Sequence, residues 1–389
     1  MKDFFDRIRQ YLRESAERKL IIGGMTVSRL TIFGIAAGIL LAAIFALIYI
    51  MYGKRDTALT YEKTDVDIGY TYRQKDNLLS YRAGEYLFTY DGEKNIFTFY
   101  PVNGIQGYDA SPSMTIVYAG AAFKIQGNKE TLALSDGTIL DVRAGINHAA
   151  LLFMSPSGDN RILLLDRRMN AVNTLNYNDS EVVAFGLLDG GSKEYLWVST
   201  TDVRQFSEES IVRIYDCDTG AMIHYSSAFY NQSIYKAYLS GSCLFLVGTQ
   251  SIVRYDRDGD GFSAERDRIR VYGSTVTDFA PAGESAYFIA LPDTAEGAGN
   301  NLVRLITVSQ TDDLWSTVMQ KYLPAPVVGA FVHKGSLCVF TQDHFLQYSF
   351  AGKKLLDLEQ DNVPTAVYEC GDAAFLVFTG SACYRATLE

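Results

Sequence analysis

The densest set of chemistry-bearing side chains lies within one short stretch: Asp256, Asp258, Asp260, Gly261, Phe262 and Asp267. They read as D-x-D-x-D-G with an acidic residue at the twelfth position, the spacing of a calcium loop. In such a loop carboxylates at positions 1, 3 and 5 converge on the ion, glycine at 6 permits the sharp turn, and a carbonyl at 7 adds a ligand. Phe262 would supply that carbonyl and Asp267 the twelfth ligand, so a structural Ca²⁺ is expected. Asp267 is one carbon shorter than the usual Glu, and Ser263 replaces an aliphatic residue at position 8. A plain hairpin turn, which Asp-Gly also suits, is the alternative.

No catalytic set and no organic cofactor site is expected. His148, His224, His333 and His344 are expected in separate units, with no HExxH or paired-His spacing. There is no G-x-S-x-G elbow and no phosphate-cradling glycine loop. Carboxylates meeting in a central funnel, as in some glycosidases, keep an enzyme open as an alternative. Of the five cysteines, Cys217, Cys243, Cys338, Cys370 and Cys383, at least one must be unpaired. Cys370 and Cys383 are expected two strand spacings apart, about 9–10 Å. A disulfide requires less than about 7 Å between Cα atoms, so buried free thiols are expected.

The elements that position these residues begin with an anchor. Residues 30–52 contain no charged side chain, and at about 1.5 Å per residue they make a helix of roughly 34 Å, enough to span a bilayer. The run is longer than a secretory signal core and lacks a small-residue cleavage site, so it reads as a retained signal-anchor. Seven Lys and Arg precede it, which keeps residues 1–29 in the cytoplasm and places the rest outside the cell membrane. Gly34, Gly38 and Ala42 form a small-residue stripe through which a second copy could pack as a homodimer. Phe4, Phe5, Ile8, Tyr11 and Leu12 would share one face of a short amphipathic helix on the inner leaflet. The whole chain has a net charge of −10, and the part after the span −13. Nucleic acid is therefore not an expected partner.

After a linker at 53–64, residues 65–389 read as all-β. An apolar strand, a glycine and a second apolar strand recur around Gly84, Gly120, Gly158, Gly190, Gly241, Gly283, Gly335 and Gly371, with a mean spacing of 41 residues. A second hairpin often follows, as in SIVRIYDCDTGAMIHY. Two hairpins per 40 or so residues is the spacing of β-propeller blades. Eight blades are expected, with seven as the alternative. Val66, Ile68, Tyr70 and Tyr72 alternate ahead of the first complete unit and would supply the outer strand that closes the ring, pairing with Cys383-Tyr384-Arg385-Ala386.

These strand–Gly–strand units, with Tyr215-Asp216 and Tyr255-Asp256 as YD-x-x-G elements, resemble those of quinoprotein-like and WD40-like propellers. The chain is most similar to an uncharacterised family of single-pass bacterial membrane proteins bearing an extracytoplasmic propeller. The resemblance implies a fold, not an activity. The WD dipeptide and the tryptophan motif of quinone-binding dehydrogenases are absent. The expected function is a membrane-anchored binding or scaffold module at the cell envelope, for an extracytoplasmic protein or other envelope ligand. A propeller enzyme (glycan-cleaving or lyase-like) and a transmembrane sensor are the alternatives. The long connections at 201–210 and 292–301 are expected on the face away from the tether.

Overall fold

The computed structural model describes residues 19–22, 25–28, 35, 38–44, 58–202, 209–282, 285–293, 301–309, 317–333, 335–371 and 374–388. The chain divides into two compact units, residues 58–388 and the segment before them.

In the first unit, Lys19–Ile22 and Met25–Ser28 form an antiparallel hairpin, with Ile22 opposite Met25. The hairpin was not expected from the basic, amphipathic character of residues 1–29; the expected helical face at Phe4–Leu12 lies outside the described residues. Within the apolar run, residue 35 and residues 38–44 are helical. Gly38 and Ala42 lie on that helix, Gly34 outside the described residues. Among the described residues no helix is long and apolar enough to cross a membrane.

The second unit is an eight-bladed β-propeller. Each blade is an antiparallel sheet of four strands, A to D, running outward from the axis, and blade 4 carries one more, Phe229–Tyr230, paired with the start of its C strand Glu209–Asp216. Blade 1 is Tyr72–Lys75, Leu78–Ala83, Tyr86–Asp91 and Ile96–Pro101. The A strands of blades 2 to 8 are Gly107–Ala110, Thr138–Ala144, Ser180–Asp189, Ile234–Ser240, Ser274–Ala282, Val327–His333 and Pro364–Glu369. A strands of successive blades touch, as Ser180–Asp189 touches Ile234–Ser240, which places them innermost.

Apolar strands without polar alternation make the ring necessary. In Cys243–Gly248 every residue is buried. Leu244 and Leu246 face blade 4, whereas Cys243, Phe245 and Val247 face blade 6. A sheet that is apolar on both faces must be covered on both, and only its neighbours can do so. Eight buried apolar clusters result, one at each seam between successive blades.

Two expectations are corrected. The strand that closes the ring is Leu59–Lys63, which pairs with Cys383–Leu388 as the D strand of blade 8; Tyr61 stands opposite Ala386. Residues 65–71 make no strand, because Gly69 takes φ +85° and turns the chain. Their alternation is real but serves packing: Val66 is buried in the seam between blades 8 and 1, with Ile68 and Tyr72 packed against it. The phase of the repeat also differs in the first blades. Gly84, Gly120 and Gly158 turn between strands B and C, whereas Gly241, Gly335 and Gly371 turn between A and B. The A strands of blades 1 and 2, YRQK and GYDA, are four residues long and largely polar, so no apolar run marks them.

Candidate functional site

Six inner strands break register at the same level: between Ile139 and Asp141, Val182 and Ala184, Ile234 and Lys236, Val276 and Asp278, Val327 and Gly329, and Pro364 and Ala366. A bulge re-aims the residue that follows it. Asp141, Ala184, Lys236, Asp278, Gly329 and Ala366 therefore stand at one level around the axis. That level carries charge in blades 3, 5 and 6 and almost no side chain in blades 7 and 8.

Beside it lies a cavity of about 530 Å³, lined from blades 1, 5, 6, 7 and 8. Lys236, Thr277 and Asp278 line it at the level of the bulges. Tyr238, Phe279 and Phe331 form its wall, and Gln74, Asp76, Asn77, Glu369 and Gly371 surround the end that carries the A–B turns. Tyr238 stacks on Phe279, with ring centroids 4.4 Å apart and planes at 19°. A Cβ on Gly329 would fall 3.0 Å from the Phe331 ring, so glycine leaves room for that ring to pack. The Gln74 amide ties the rim together, donating to the backbone carbonyls of Asp76 and Glu369.

The two charged groups that line the cavity at the bulge level are poised toward neutrality. Burial lowers the Lys236 pKa, against the nearby Asp278 carboxylate. Burial likewise raises that of Asp278, against the backbone N–H groups of Phe279 and Val332 and the charge of Lys236. The Val332 N–H donates to Asp278 Oδ2 at 3.4 Å, so the carboxylate bridges blades 6 and 7. Asp109 does the same half a ring away, accepting from Ala144 N at 2.7 Å between blades 2 and 3. The basic groups of blade 1 are committed there: Arg73 donates to the Tyr108 carbonyl and Lys75 to the Ala144 carbonyl.

The acidic stretch expected to hold calcium takes the hairpin form. Ser251–Asp258 and Gly261–Arg270 are strands C and D of blade 5, with Asp258 opposite Gly261 and Arg254 opposite Asp267. Gly259 and Asp260 make the turn, Gly259 at φ +59°. The ligand set is thus drawn out along two strands. Asp256 is held by Arg254 at 2.7 Å and Arg266 at 2.8 Å. The Phe262 carbonyl lies 3.3 Å from His224 Nδ1, and Asp267 accepts from the N–H of Arg268. Among the described residues no group of three or more His, Cys, Asp or Glu is arranged to hold a metal ion. As arranged, these residues do not fit a calcium cage.

All five cysteines are buried, and none forms a disulfide. His333 and His344 share blade 7, but at the end of strand A and the start of strand C, on opposite faces of the ring. The cavity residues were not foreseen from sequence. Their one signal is a charged residue inside an otherwise apolar inner strand, Lys236 in IYKAYLS and Asp278 in STVTDFAPA.

No family model matches the sequence, and no curated protein does. Solved structures do match its fold. BamB from Moraxella catarrhalis superposes with a TM-score of 0.53 at 9% identity, covering 85% of this chain and 100% of that one. The Dos1 propeller gives 0.49 at 10% identity, covering 80% and 89%. The Neurospora crassa Pan2 WD40 domain gives 0.43 at 7% identity, covering 73% and 88%. With its blades counted and its ring closed by Leu59–Lys63, the chain is an eight-bladed β-propeller of the architecture that BamB displays.

Proposed function

We propose that this chain is a membrane-anchored, extracytoplasmic β-propeller that acts as a protein- or ligand-binding module or scaffold at the cell envelope. The binding role is carried by the axial cavity, a concave site with aromatic walls and convergent polar groups supplied by five blades. The anchor is supported by the helical residues 38–44. There Ile39, Leu40 and Leu41 are 66, 63 and 55% exposed, and successive helical residues point about 100° apart. A helix apolar all round is one solvated by lipid or by a core. The chain joins the propeller at Leu59, on the face that carries the A–B turns and the cavity rim. Strands Glu194–Asp202 and Ser285–Pro292 end on the opposite face.

The test is crosslinking and pull-down of the intact protein in its own membrane, together with protease added to spheroplasts. Cleavage beyond Gly53 without membrane rupture and recovery of a discrete envelope partner are the expected results. Full protection of the propeller would overturn the topology.

One observation favours a second reading, an enzyme acting on a glycan or by elimination. Asp76, Asp278 and Glu369 share the cavity with Lys236, and paired carboxylates perform the acid–base work of glycoside cleavage. Time-dependent product release from envelope glycans, lost in Asp278→Asn, would establish it.

A further inference from the structure

We propose that the seam between blades 1 and 2 holds a second ligand site, one that takes an aliphatic carboxylate. That group is carried by a free short-chain acid or by a peptide ending in an aliphatic residue. The site is separate from the axial cavity and goes beyond the reading of the propeller as a binding module.

Blade 2 is built short, and this leaves the seam open. Its strands B, C and D are Thr115–Ala119, Ala122–Ile125 and Leu132–Ala133. Strand D has two residues where those of the other blades have four to ten. It pairs only with Ala122 and Phe123, so Lys124 lies past its end. The seam with blade 1 buries five apolar residues, Leu87, Val102, Ile105, Tyr108 and Val117. Every other seam buries nine to twelve. Beside the short strand lies a cavity of about 320 Å³, within the range of small-ligand sites.

The lining selects the ligand. Val102 and Ile105 from the chain leaving blade 1, with Val117, Ala119 and Ala122 from blade 2, give it an aliphatic wall. Phe123 and Ile125 are packed in the seam with blade 3. Strand alternation therefore turns Lys124 to the blade 1 side, where it lines the cavity. Lys124 is the one charged side chain in the described lining, so no carboxylate there competes for it. Among the described residues it has no ion pair and no hydrogen bond. Asn103, Gln126 and Thr131 add neutral groups able to donate to a carboxylate. Charges bordering the lining come in opposite pairs. Lys129 and Glu130 precede Thr131; Arg82 donates to the Ile105 carbonyl, and the Glu85 carbonyl accepts from the N–H of Val102. An anion with an apolar tail thus meets a free ammonium and a hydrocarbon wall, whereas an amine or a metal ion finds no carboxylate.

The experiment is calorimetric titration of the full chain in non-ionic detergent with sodium hexanoate and with N-acetyl-alanyl-leucine. The controls are hexanol, hexylamine, the C-terminal amide of the same peptide and sodium sulfate. Saturable heat and a raised Tm are expected with at least one carboxylate and with no control, and the tighter of the two identifies the source. Lys124→Met keeps the stem, removes the charge and should weaken binding about tenfold or more. Lys124→Arg restores a cationic donor and should stay within about threefold of wild type. Ala122→Leu should abolish binding by filling the cavity. Lys124 has no partner to lose, so its variants should keep the Tm within about 2 °C.

Absence of saturable binding by both carboxylates in a chain of normal Tm would overturn the proposal. Hexanol, hexylamine or sulfate binding as tightly as the carboxylates would also do so, as would unchanged affinity in Lys124→Met. If a partner is still recovered from membranes in those cases, the binding-module reading stands while this site falls.

Discussion

Glu194 at the start of strand B in blade 4 grips His148 at the start of strand B in blade 3, with Oε2 lying 2.9 Å from Nδ1. The same carboxylate accepts from the backbone N–H groups of Ile146, Asn147 and His148, so one side chain satisfies a whole turn of the neighbouring blade. On the far side of the imidazole, Nε2 lies 3.5 Å from Asp218 Oδ1. Gly145 is required by this clasp, because a Cβ there would sit 2.3 Å from Glu194 Oε1. Glu194→Ala leaves three backbone N–H groups, that of His148 buried, and the imidazole without their acceptor and should cost about 3–5 kcal/mol. Gly145→Ala should destabilise by pushing Glu194 out of place. Calorimetric melting of both variants checks the claim, and losses under about 1 kcal/mol would refute it.

The same pair sets a pH dependence. The hydrogen bond with Glu194 raises the His148 pKa above 6.5, outweighing burial. Its contribution is complete below 6.5 and lost as pH climbs through the raised value. For Glu194 burial works upward, yet the bonds from His148 and the backbone hold the carboxyl below 4.5. Its contribution is complete above 4.5 and lost as pH falls through the lowered value. The Tm difference between wild type and His148→Asn should therefore be largest between about pH 4.5 and 6.5 and shrink on either side. A difference that is flat from pH 4 to 9 would contradict this.

Ring closure gives a test by truncation. Tyr61 sets its ring edge-on to Tyr384 at 6.3 Å and donates its hydroxyl to Gln360 Oε1 at 2.9 Å. A soluble form beginning at Ala58 retains the closing strand and should stay monomeric. One beginning at Asp65 leaves Cys383–Leu388 as an open edge, prone to pair with another copy. It should melt lower by roughly 5 °C or more and associate in sedimentation. Equal behaviour of the two forms would be incompatible with the observed pairing.

The acidic hairpin of blade 5 predicts an asymmetry among its aspartates. The Arg254 side chain is only 3% exposed and donates to Asp256 as well as to the Ser309 carbonyl. Asp256→Ala should therefore lose about 1–3 kcal/mol. Asp258→Ala and Asp260→Ala, at and beside the exposed turn, should change stability by about 0.5 kcal/mol or less. Millimolar calcium should leave the Tm of the wild type unaltered. A calcium-dependent rise lost in Asp258→Ala would show that the turn rearranges into a cage.

Much of the architecture was legible in the residues alone, for a physical reason. Strands such as CLFLVG and AFLVFT are apolar on both faces, and a chain of them spaced by about 40 residues has one economical arrangement, blades that cover one another. The blade number and the buried thiols follow from that pattern. What the tertiary structure decided was which alternating segments pair. Val66-Asp67-Ile68-Gly69-Tyr70 and Leu59-Thr60-Tyr61-Glu62-Lys63 both alternate, but only the second meets the open edge at Cys383–Leu388. The first is turned by Gly69 to plug a seam. Likewise, the spacing of Asp256, Asp258 and Asp260 is shared by calcium loops and by hairpins, and the pull of Arg254 and Arg266 on Asp256 is visible only once the strands are paired. The axial cavity was hidden for a related reason. It is built from one to three residues on each of blades 1, 5, 6, 7 and 8, blades far apart in sequence, and in part aimed by bulges that leave no mark in composition. Periodicity reports what each strand buries along its own length; which side chains meet at the axis is settled only when the ring closes.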